Sequence, residues 1–364
     1  MSIIIFIIIL ATLVLVHELG HFIAAKRAGI RVDEFGIGFP PRLFSKQFGE
    51  TRYSINLFPL GGFVKIFGED PDKESLEGAD SSRSLIKKPK YIQAWVMVAG
   101  IIFNLLFAWI VLSAGFVVGM PYSVDDSRYG AQVTDRALTI TQVLPKSPAE
   151  AAGLKGGDQI IALEAGKVLK KNPSVQETQD FIASHDALTL TYVRGTETKM
   201  TVVKGESGIV GSRRAIGVSL DVTGILRLPV LEAITTGLTT TISLTGETVI
   251  GLYSFFKNVF VGQANFSQIS GPVGIVGVVR DASALGFVHL VSLVALISIN
   301  LAVINLFPFP ALDGGRLFFL LIETIKRSPI KSEIANIING VGFILLIILM
   351  LVVTYHDVLR IFHS

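Results

Sequence analysis

Hydrophobic positions in this chain are concentrated in four long runs that are separated by more polar stretches. The apolar core of a bilayer is about 30 Å thick, so a run of about 18 or more apolar residues predicts a helix that can cross it. The runs that pass this test predict helices over residues 1–25, 92–120, 289–321 and 334–356. The pattern therefore predicts a polytopic α-helical membrane protein with about four transmembrane helices.

Residues 26–91, between the first two runs, contain a pattern typical of strands. Polar and apolar positions alternate in TRYSINL and again in GFVKIF, and FPLGG joins the two stretches. Alternation on both sides of a glycine-containing turn predicts a β-hairpin, which we expect to be re-entrant and membrane-associated. The charged stretch that follows, EDPDKESLEGADSSRSLIKKPK, has little to bury and is predicted to be a mobile loop.

Residues 123–223, after the second run, have the pattern of a small β-rich domain. SPAEAAGL predicts a short helix with Ser147 as its N-cap and Gly153 at its end, and GGDQIIAL predicts a turn into a strand. This region resembles a PDZ domain in the circularly permuted bacterial arrangement, a β-rich α+β fold inserted once in the chain. The resemblance implies that Ile216, Gly217 and Val218 form the loop that binds a carboxylate, with peptide C-termini as possible partners.

Residues 224–288 link this domain to the third run, and residues 322–333 form a loop before the fourth. The linker has helical periodicity with many Thr and Gly residues, followed by SGPVGIVGVV. We expect it to be a helical segment that lies on the membrane surface or packs against the other helices.

Composition narrows the classes of function. Half of the residues are hydrophobic, 17% are charged and the mean hydropathy is +0.59, which indicates membrane helices combined with polar domains. The net charge of +3 is small and no basic block is present, so nucleic-acid binding has no support. The chain has no cysteine, so thiols give no information about the compartment.

The first apolar run carries the sequence HELGH, in which His17 and His21 are four residues apart. On a helix this spacing places both imidazoles on one face, where they can bind one tetrahedral zinc ion, and Glu18 is placed as a general base. Ionisable groups within a membrane span cost roughly 2.5–3.5 kcal/mol each and are typical of function. The alternative is a histidine pair that bonds neighbouring helices or lies at the membrane interface.

A catalytic zinc ion needs a third protein ligand. No third histidine follows the motif at a suitable spacing, and the best candidate is Asp313 in NLAVINLFPFPALDGGRL. Pro308 and Pro310 interrupt the helical hydrogen bonding before it, and Gly314 and Gly315 permit close approach of backbone and ligand.

The order of HELGH, PLGGFVKIFGED, a PDZ-like region and NLFPFPALDGGRL resembles the site-2 protease family, peptidase family M50, and within it the RseP (regulator of sigma-E protease) group. The resemblance implies that His17, His21 and Asp313 bind Zn²⁺ and that Glu18 is the catalytic base. It also implicates Asn300 and Asn305 in substrate handling, for which hydrogen bonding between helices is the alternative. Two features depart from the family pattern: many relatives carry tandem PDZ modules, and VAGIIFNLLFA keeps Asn104 without the usual proline.

The activity predicted by these motifs is intramembrane proteolysis of single-span membrane proteins, such as an anti-sigma factor or a remnant signal peptide. A substrate helix must unwind to expose its carbonyl groups, and an exposed strand edge can hold the unwound segment. The candidate substrate-binding glycines belong to GIGF and PLGG, unless the hairpin only shields the metal; they are Gly36, Gly38, Gly61 and Gly62. The other hypotheses are a membrane-anchored PDZ scaffold with a structural or inactive zinc site, and a metal transporter.

Basic residues flank the predicted spans on one side, and this bias predicts a cytoplasmic location for them. The PDZ-like domain is then extracytoplasmic, in the cytoplasmic (inner) membrane of a bacterium. The residues that carry the bias are Lys26, Arg27, Arg31, Lys87, Lys88, Lys90, Arg316, Lys326, Arg327 and Lys331.

Overall fold

The computed structural model describes residues 1–69, 73–126, 128–210, 213–262 and 271–363. The chain divides into two compact units. A helical unit comprises Met1–Leu112, Gly237–Ala264 and Val294–Tyr355, and a β-rich unit comprises Ser113–Thr236, Asn265–Leu293 and His356–Ser364.

The helices and strands of both units are numbered in chain order. The helices are α1 (Ser2–Arg27), α2 (Lys73–Glu77), α3 (Lys90–Val118), α4 (Pro148–Ala151), α5 (Val175–Ser184), α6 (Val230–Phe260), α7 (Pro272–Leu285), α8 (Phe287–Leu306), α9 (Asp313–Lys326) and α10 (Ser332–His363). The strands are β1 (Val32–Phe48), β2 (Thr51–Ile66), β3 (Met120–Ser123), β4 (Thr134–Val143), β5 (Gln159–Ala165), β6 (Val168–Lys171), β7 (Ala187–Arg194), β8 (Glu197–Lys204), β9 (Glu206–Val210), β10 (Arg213–Ala215) and β11 (Val218–Leu226).

Four helices in the described part of the chain are long and apolar enough to cross a membrane: α1, α3, α8 and residues Glu333–Leu359 of α10. The predicted helix over residues 289–321 is divided, since α8 ends at Leu306 and α9 begins at Asp313. Pro308 and Pro310 lie in the break, where each lacks the N–H that a continuous helix would need.

Strands β1 and β2 form an antiparallel sheet whose pairing differs from the predicted hairpin. TRYSINL and GFVKIF do not pair across FPLGG, because both belong to β2 and both pair with residues 34–37 of β1. Residues 42–48 of β1 pair with residues 51–56 on the far side. The resulting order is 62–66, 32–37, 51–56 and 42–48, so the segment 62–66 forms one edge of the sheet.

The charged stretch predicted to be a mobile loop is folded over residues 73–90. Arg31 donates hydrogen bonds to Asp33 (2.9 Å), Glu74 (3.0 Å) and Asp80 (2.9 Å), and its guanidinium lies 3.6 Å from the centre of the Phe67 ring. One cation therefore joins carboxylates that are far apart in sequence, a long-range contact that local composition cannot reveal.

The β-rich unit is built on a sheet with the strand order β3-β11-β4-β5-β7-β8, with β6 paired to β5. As predicted, Ser147 caps α4 by accepting from the Glu150 N–H, and Gly153 follows the helix with a φ of +76°. Helix α5 begins with a capping box between Ser174 and Glu177. Hydrogen bonds from Lys170 and from the Ser174 N–H lower the pKa of Glu177 to about 2.

A buried ion pair joins the loop before β5 to the end of β7. Asp158 is 0% exposed and accepts two hydrogen bonds of 2.7 Å from Arg194 and one of 2.8 Å from the Lys155 N–H. Arg194 also donates to the Gly153 carbonyl at 2.7 Å. The pair thus secures the turn that the sequence GGDQIIAL predicts.

We expect Asp158→Asn to destabilise the β-rich unit by about 3 kcal/mol or more, because the substitution leaves a guanidinium without its countercharge. The measurement is amide hydrogen exchange over β5 and β7 in the full chain. The matched control is Asp180→Asn on the exposed face of α5, which should leave exchange unchanged. Equal protection in both variants would show that the pair is not needed for stability.

Candidate metal centre

Helix α1 presents His17 and His21 on one face, one turn apart. Both are buried, at 7% and 6% exposure, and their Nε2 atoms are 3.2 Å apart. Apolar residues surround them along the helix, whose mean composition is that of a membrane span. Two imidazole nitrogens at this separation can bind the same ion.

Asp313, the first residue of α9, completes the group. Its Oδ2 lies 3.0 Å from His17 Nε2 and 3.2 Å from His21 Nε2. A tetrahedral zinc ion with bonds of about 2.0–2.1 Å separates its ligand atoms by about 3.3 Å, so the three atoms approximate one face of that tetrahedron. Apart from these two imidazoles, the buried Oδ2 has no hydrogen-bond partner among the described residues, which fits an atom that binds a metal. In the described part of the chain, His17, His21 and Asp313 form the one group of three or more His, Cys, Asp or Glu side chains that could hold a metal ion.

Hydrogen bonds outside the group orient the imidazoles. His21 Nδ1 lies 2.8 Å from the Val96 carbonyl oxygen, so that Nδ1–H donates and Nε2 keeps its lone pair. His17 Nδ1 lies 3.3 Å from the Asn104 amide nitrogen, while the buried Asn104 Oδ1 has no partner in the described part of the chain. A half-turn of the amide lets Oδ1 accept from Nδ1–H, which satisfies both groups and leaves His17 Nε2 free.

Two glycines let α1 and α3 approach closely at this point. A Cβ on Gly20 would lie 2.5 Å from the Ala99 carbonyl oxygen, and a Cβ on Gly100 would collide with His21 Nε2 and lie 2.8 Å from His17 Cε1. The sequence analysis noted Asn104 as a retained family position without giving it a contact, and it did not single out Gly20 or Gly100. The signal available was the AGIIFN stretch, in which small and polar residues interrupt an apolar run.

Glycines also position Asp313. A Cβ on Gly314 would collide with the carbonyl oxygens of Leu306 and Phe307, and one on Gly315 with that of Phe309. The close approach of backbone predicted for these glycines is therefore found at the loop before α9, and their approach to a bound ligand stays a prediction.

Glu18 is oriented by the sheet. Its Oε2 accepts a 3.0 Å hydrogen bond from the Val64 N–H of β2. Val64 pairs with Phe35 on its other side, so this N–H points away from β1 and towards α1. The free edge of the segment 62–66 therefore faces the residue predicted to be the base.

A cavity of about 380 Å³ contains these groups. Arg316 and Glu69, which form an ion pair, lie in its wall. The residues that line it are Val14, His17, Glu18, His21, Phe39, Gly62, Phe63, Val64, Ile66, Glu69, Met97, Leu301, Asn305, Ala311, Leu312, Asp313 and Arg316.

The two predicted asparagines occupy different places. Asn305 lines the cavity, whereas Asn300 Oδ1 accepts a 3.3 Å hydrogen bond from Thr248 of α6. The contact of Asn300 is the helix–helix bond that we considered as the alternative to substrate handling.

Of the predicted substrate-binding glycines, Gly62 lines the cavity. Gly36 pairs with both Phe63 and Ser54, and Gly38 has a φ of +78° that favours glycine. Gly61 lies against the Phe39 ring, where a Cβ would be 3.0 Å from the ring. The sheet thus brings Gly62 to the site and places Gly36 one strand away.

In the β-rich unit, the predicted carboxylate-binding residues lie at the start of β11. The carbonyl groups of Ile216 and Gly217 accept from the Ala149 N–H (2.9 Å) and the Leu144 N–H (2.8 Å), and Ile216 is buried. Val218 begins β11, and β3 pairs only with residues 223–226 of that strand in the described chain. The first half of β11 therefore has an open edge, and α5 contacts the same strand.

Comparison with known proteins connects this geometry to a family. The model of peptidase family M50 matches residues 5–349, from α1 through most of α10. The chain belongs to peptidase family M50.

Named M50 relatives cover almost the whole chain. A provisionally named zinc metalloprotease of Clostridium perfringens is 34% identical, with 96% of each chain covered. Zinc metalloprotease RasP of Geobacillus kaustophilus is 30% identical, covering 99% of this chain and 98% of its own. The regulator of sigma-W protease RasP of Bacillus subtilis is also 30% identical, with 99% of each chain covered. As an M50 member with these relatives, the chain is a zinc metalloprotease.

A structural comparison found the PDZ domain of an SdrC-like protein from Listeria monocytogenes. It is 23% identical over 23% of this chain and 86% of that domain, with a TM-score of 0.21. A likeness of this size carries no conclusion, and the PDZ identity of the β-rich unit stays a prediction.

We expect Gly100→Ala to weaken zinc binding and proteolysis together. Alanine stabilises an exposed helix by about 1 kcal/mol relative to glycine, so a loss would come from the collision of the new methyl group with the two imidazoles. Zinc content per protein and substrate cleavage are the measurements. Gly246→Ala on α6, where a Cβ meets open space, is the matched control. Full zinc content in Gly100→Ala would contradict the close packing described above.

Proposed function

We propose that this M50 metalloprotease is an intramembrane endopeptidase that binds Zn²⁺ through His17, His21 and Asp313 and cleaves the transmembrane segments of single-span proteins. The observation that carries the proposal is the 3.0–3.2 Å triangle of ligand atoms. Its atoms come from opposite ends of the sequence. The two histidines lie on α1, which is apolar enough to cross a bilayer, and Asp313 begins α9, which follows another such helix, α8.

Three protein ligands are typical of catalytic rather than structural zinc sites. Zinc held by His17, His21 and Asp313 would lower the pKa of a bound water and polarise the carbonyl group of the scissile bond. Buried ligands with fixed Nε2 orientations hold the ion without further rearrangement.

Glu18 acts as the general base and then as the acid. Its carboxylate takes a proton from the attacking water as the new carbon–oxygen bond forms, and it returns the proton to the nitrogen when the carbon–nitrogen bond breaks. The products are a carboxylic acid and an amine, which ionise to a carboxylate and an ammonium group. The hydrogen bond from the Val64 N–H holds one oxygen of Glu18, so the other oxygen is available to the water.

The edge segment 62–66 is suited to bind the substrate as an added strand. A transmembrane helix hides its carbonyl groups in its own hydrogen bonds, so it must unwind before hydrolysis. The backbone groups of an open edge can replace the bonds that are lost. Gly62, on this edge and in the cavity wall, allows close approach to Glu18, while Gly36, Gly38 and Gly61 shape the sheet behind it. Asn305 bonds an exposed substrate carbonyl, a role supported by its position in the cavity wall, and Asn300 contributes through its contact with α6.

The substrate class we propose is a single-span membrane protein, of the anti-sigma factor or remnant signal peptide type. One relative is itself named a regulator of sigma-W protease. The basic residues beside the spans support a bacterial cytoplasmic membrane with the β-rich unit outside. Ile216, Gly217 and Val218 would place a peptide C-terminus against the open edge of β11.

We expect Glu18→Gln to lower proteolysis by at least about 100-fold, because general acid–base catalysis contributes 10²–10⁴-fold, while zinc content stays unchanged. The measurement follows cleavage of a reconstituted single-span substrate and zinc bound by the same sample. Glu247→Gln on α6 is the control. Undiminished cleavage by Glu18→Gln would refute its catalytic role, and bound zinc without cleavage of any substrate by the native chain would favour the inactive scaffold.

The edge-strand proposal can be tested by disulfide capture, since the chain has no native cysteine. In a Glu18→Gln background, Lys65→Cys should form a disulfide with a cysteine placed near the substrate's cleavage site. Ser45→Cys, which lies on the opposite edge of the sheet, should not. Equal capture at both positions would exclude strand addition at the segment 62–66.

A further inference from the structure

A short loop, residues 307–312, precedes Asp313 in the chain and contains an unusual backbone conformation. Ala311, two residues before the ligand, has a φ of +72°. A residue with a side chain is strained in the left-handed region, and such strain persists only where surrounding contacts enforce it. The loop conformation that places Asp313 therefore depends on contacts from outside the loop.

Helix α10 supplies two such contacts, one turn apart on the same face. Asn339 Oδ1 accepts a 3.3 Å hydrogen bond from the Ala311 N–H. Gly342 packs against Pro310, where an added Cβ would lie 2.9 Å from the Pro310 carbonyl oxygen. The amide bonds the strained residue itself, and the glycine allows α10 to come close enough for that bond to form.

We propose that Asn339 is a positioning residue for the metal centre: by bonding the N–H of the left-handed Ala311, it holds Asp313 where its carboxylate can join His17 and His21. This inference rests on the proposed function of that carboxylate as a zinc ligand. It gives α10, which contributes no ligand, a direct role in the geometry of the site.

The alternative role for Asn339 is a hydrogen bond that only joins two helices. Asparagines in apolar helices bond neighbouring helices, and each bond contributes about 0.6–2 kcal/mol wherever it occurs. The two roles predict different results when the Asn339 side chain is removed and residue 311 is glycine. If Asn339 only joins helices, the conformational freedom of residue 311 is irrelevant. If Asn339 holds a strained alanine, glycine at position 311 removes the need for it, because glycine adopts positive φ without that strain.

The experiment measures the affinity of the full-length, detergent-solubilised protein for Zn²⁺ by competition with a chelator. Four variants are compared with the native chain: Asn339→Ala, Ala311→Gly, the double variant, and Asp313→Ala as reference for ligand loss. Asn336→Ala is the matched control, because it lies one turn earlier on α10 and no bond from it to the loop is found among the described residues.

We expect Asn339→Ala to weaken zinc binding roughly tenfold, the change that corresponds to one lost hydrogen bond of about 1.4 kcal/mol. The same substitution in the Ala311→Gly background should cost less than about threefold, since the coupling between the two positions carries the effect. Asn336→Ala should bind zinc as the native chain does.

Native affinity in Asn339→Ala would overturn the proposal, and so would a tenfold loss that persists in the Ala311→Gly background. If Asp313→Ala keeps full affinity, the proposed zinc site itself fails, which is a separate result from failure of the Asn339 role.

Discussion

The structure depends on one convergence: two imidazoles from the first helix and one carboxylate from the ninth helix place their ligand atoms within 3.2 Å of one another. Burying three such groups in an apolar environment costs free energy unless they share an ion or a network of hydrogen bonds. The close packing of α1 on α3 and the break between α8 and α9 make this contact possible, and the sheet beside α1 orients Glu18 next to it.

Small residues and backbone groups position several of the side chains at the centre. Gly20 and Gly100 bring α3 against the histidine face, and the Val96 carbonyl orients one imidazole. The Val64 N–H orients Glu18. Backbone groups are suited to this role within apolar helices, because they are already present and add no charge that must be removed from water.

Much of the candidate site could be predicted from the sequence because its signals are local. HELGH places two candidate ligands and a candidate base on one turn of a helix, and the prolines and glycines around Asp313 mark a break. The capped helix α4 and the turn into β5 follow from Ser147, Gly153 and the GGD sequence for the same reason. Predictions failed where pairing is non-local. TRYSINL and GFVKIF alternate as strands do, but β1 lies between them, and nothing in their own composition distinguishes that order from a hairpin. The folded state of the charged stretch likewise depends on Arg31, which is more than forty residues from two of its three partners.

By itself, the sequence determined the types of chemical group and their local spacing: four apolar runs, two histidines four residues apart on a helix, and a carboxylate after a proline-containing break. These are properties of neighbouring residues, and helical periodicity and hydropathy express them directly. Only the tertiary structure decided which groups meet. It brought Asp313 to the histidines, turned the segment 62–66 towards Glu18, separated Asn305 from Asn300, and placed Asn339 on Ala311. The physical reason is that these contacts arise from close packing between elements distant in sequence, where a single methyl group, such as one on Gly100, determines whether two helices can approach.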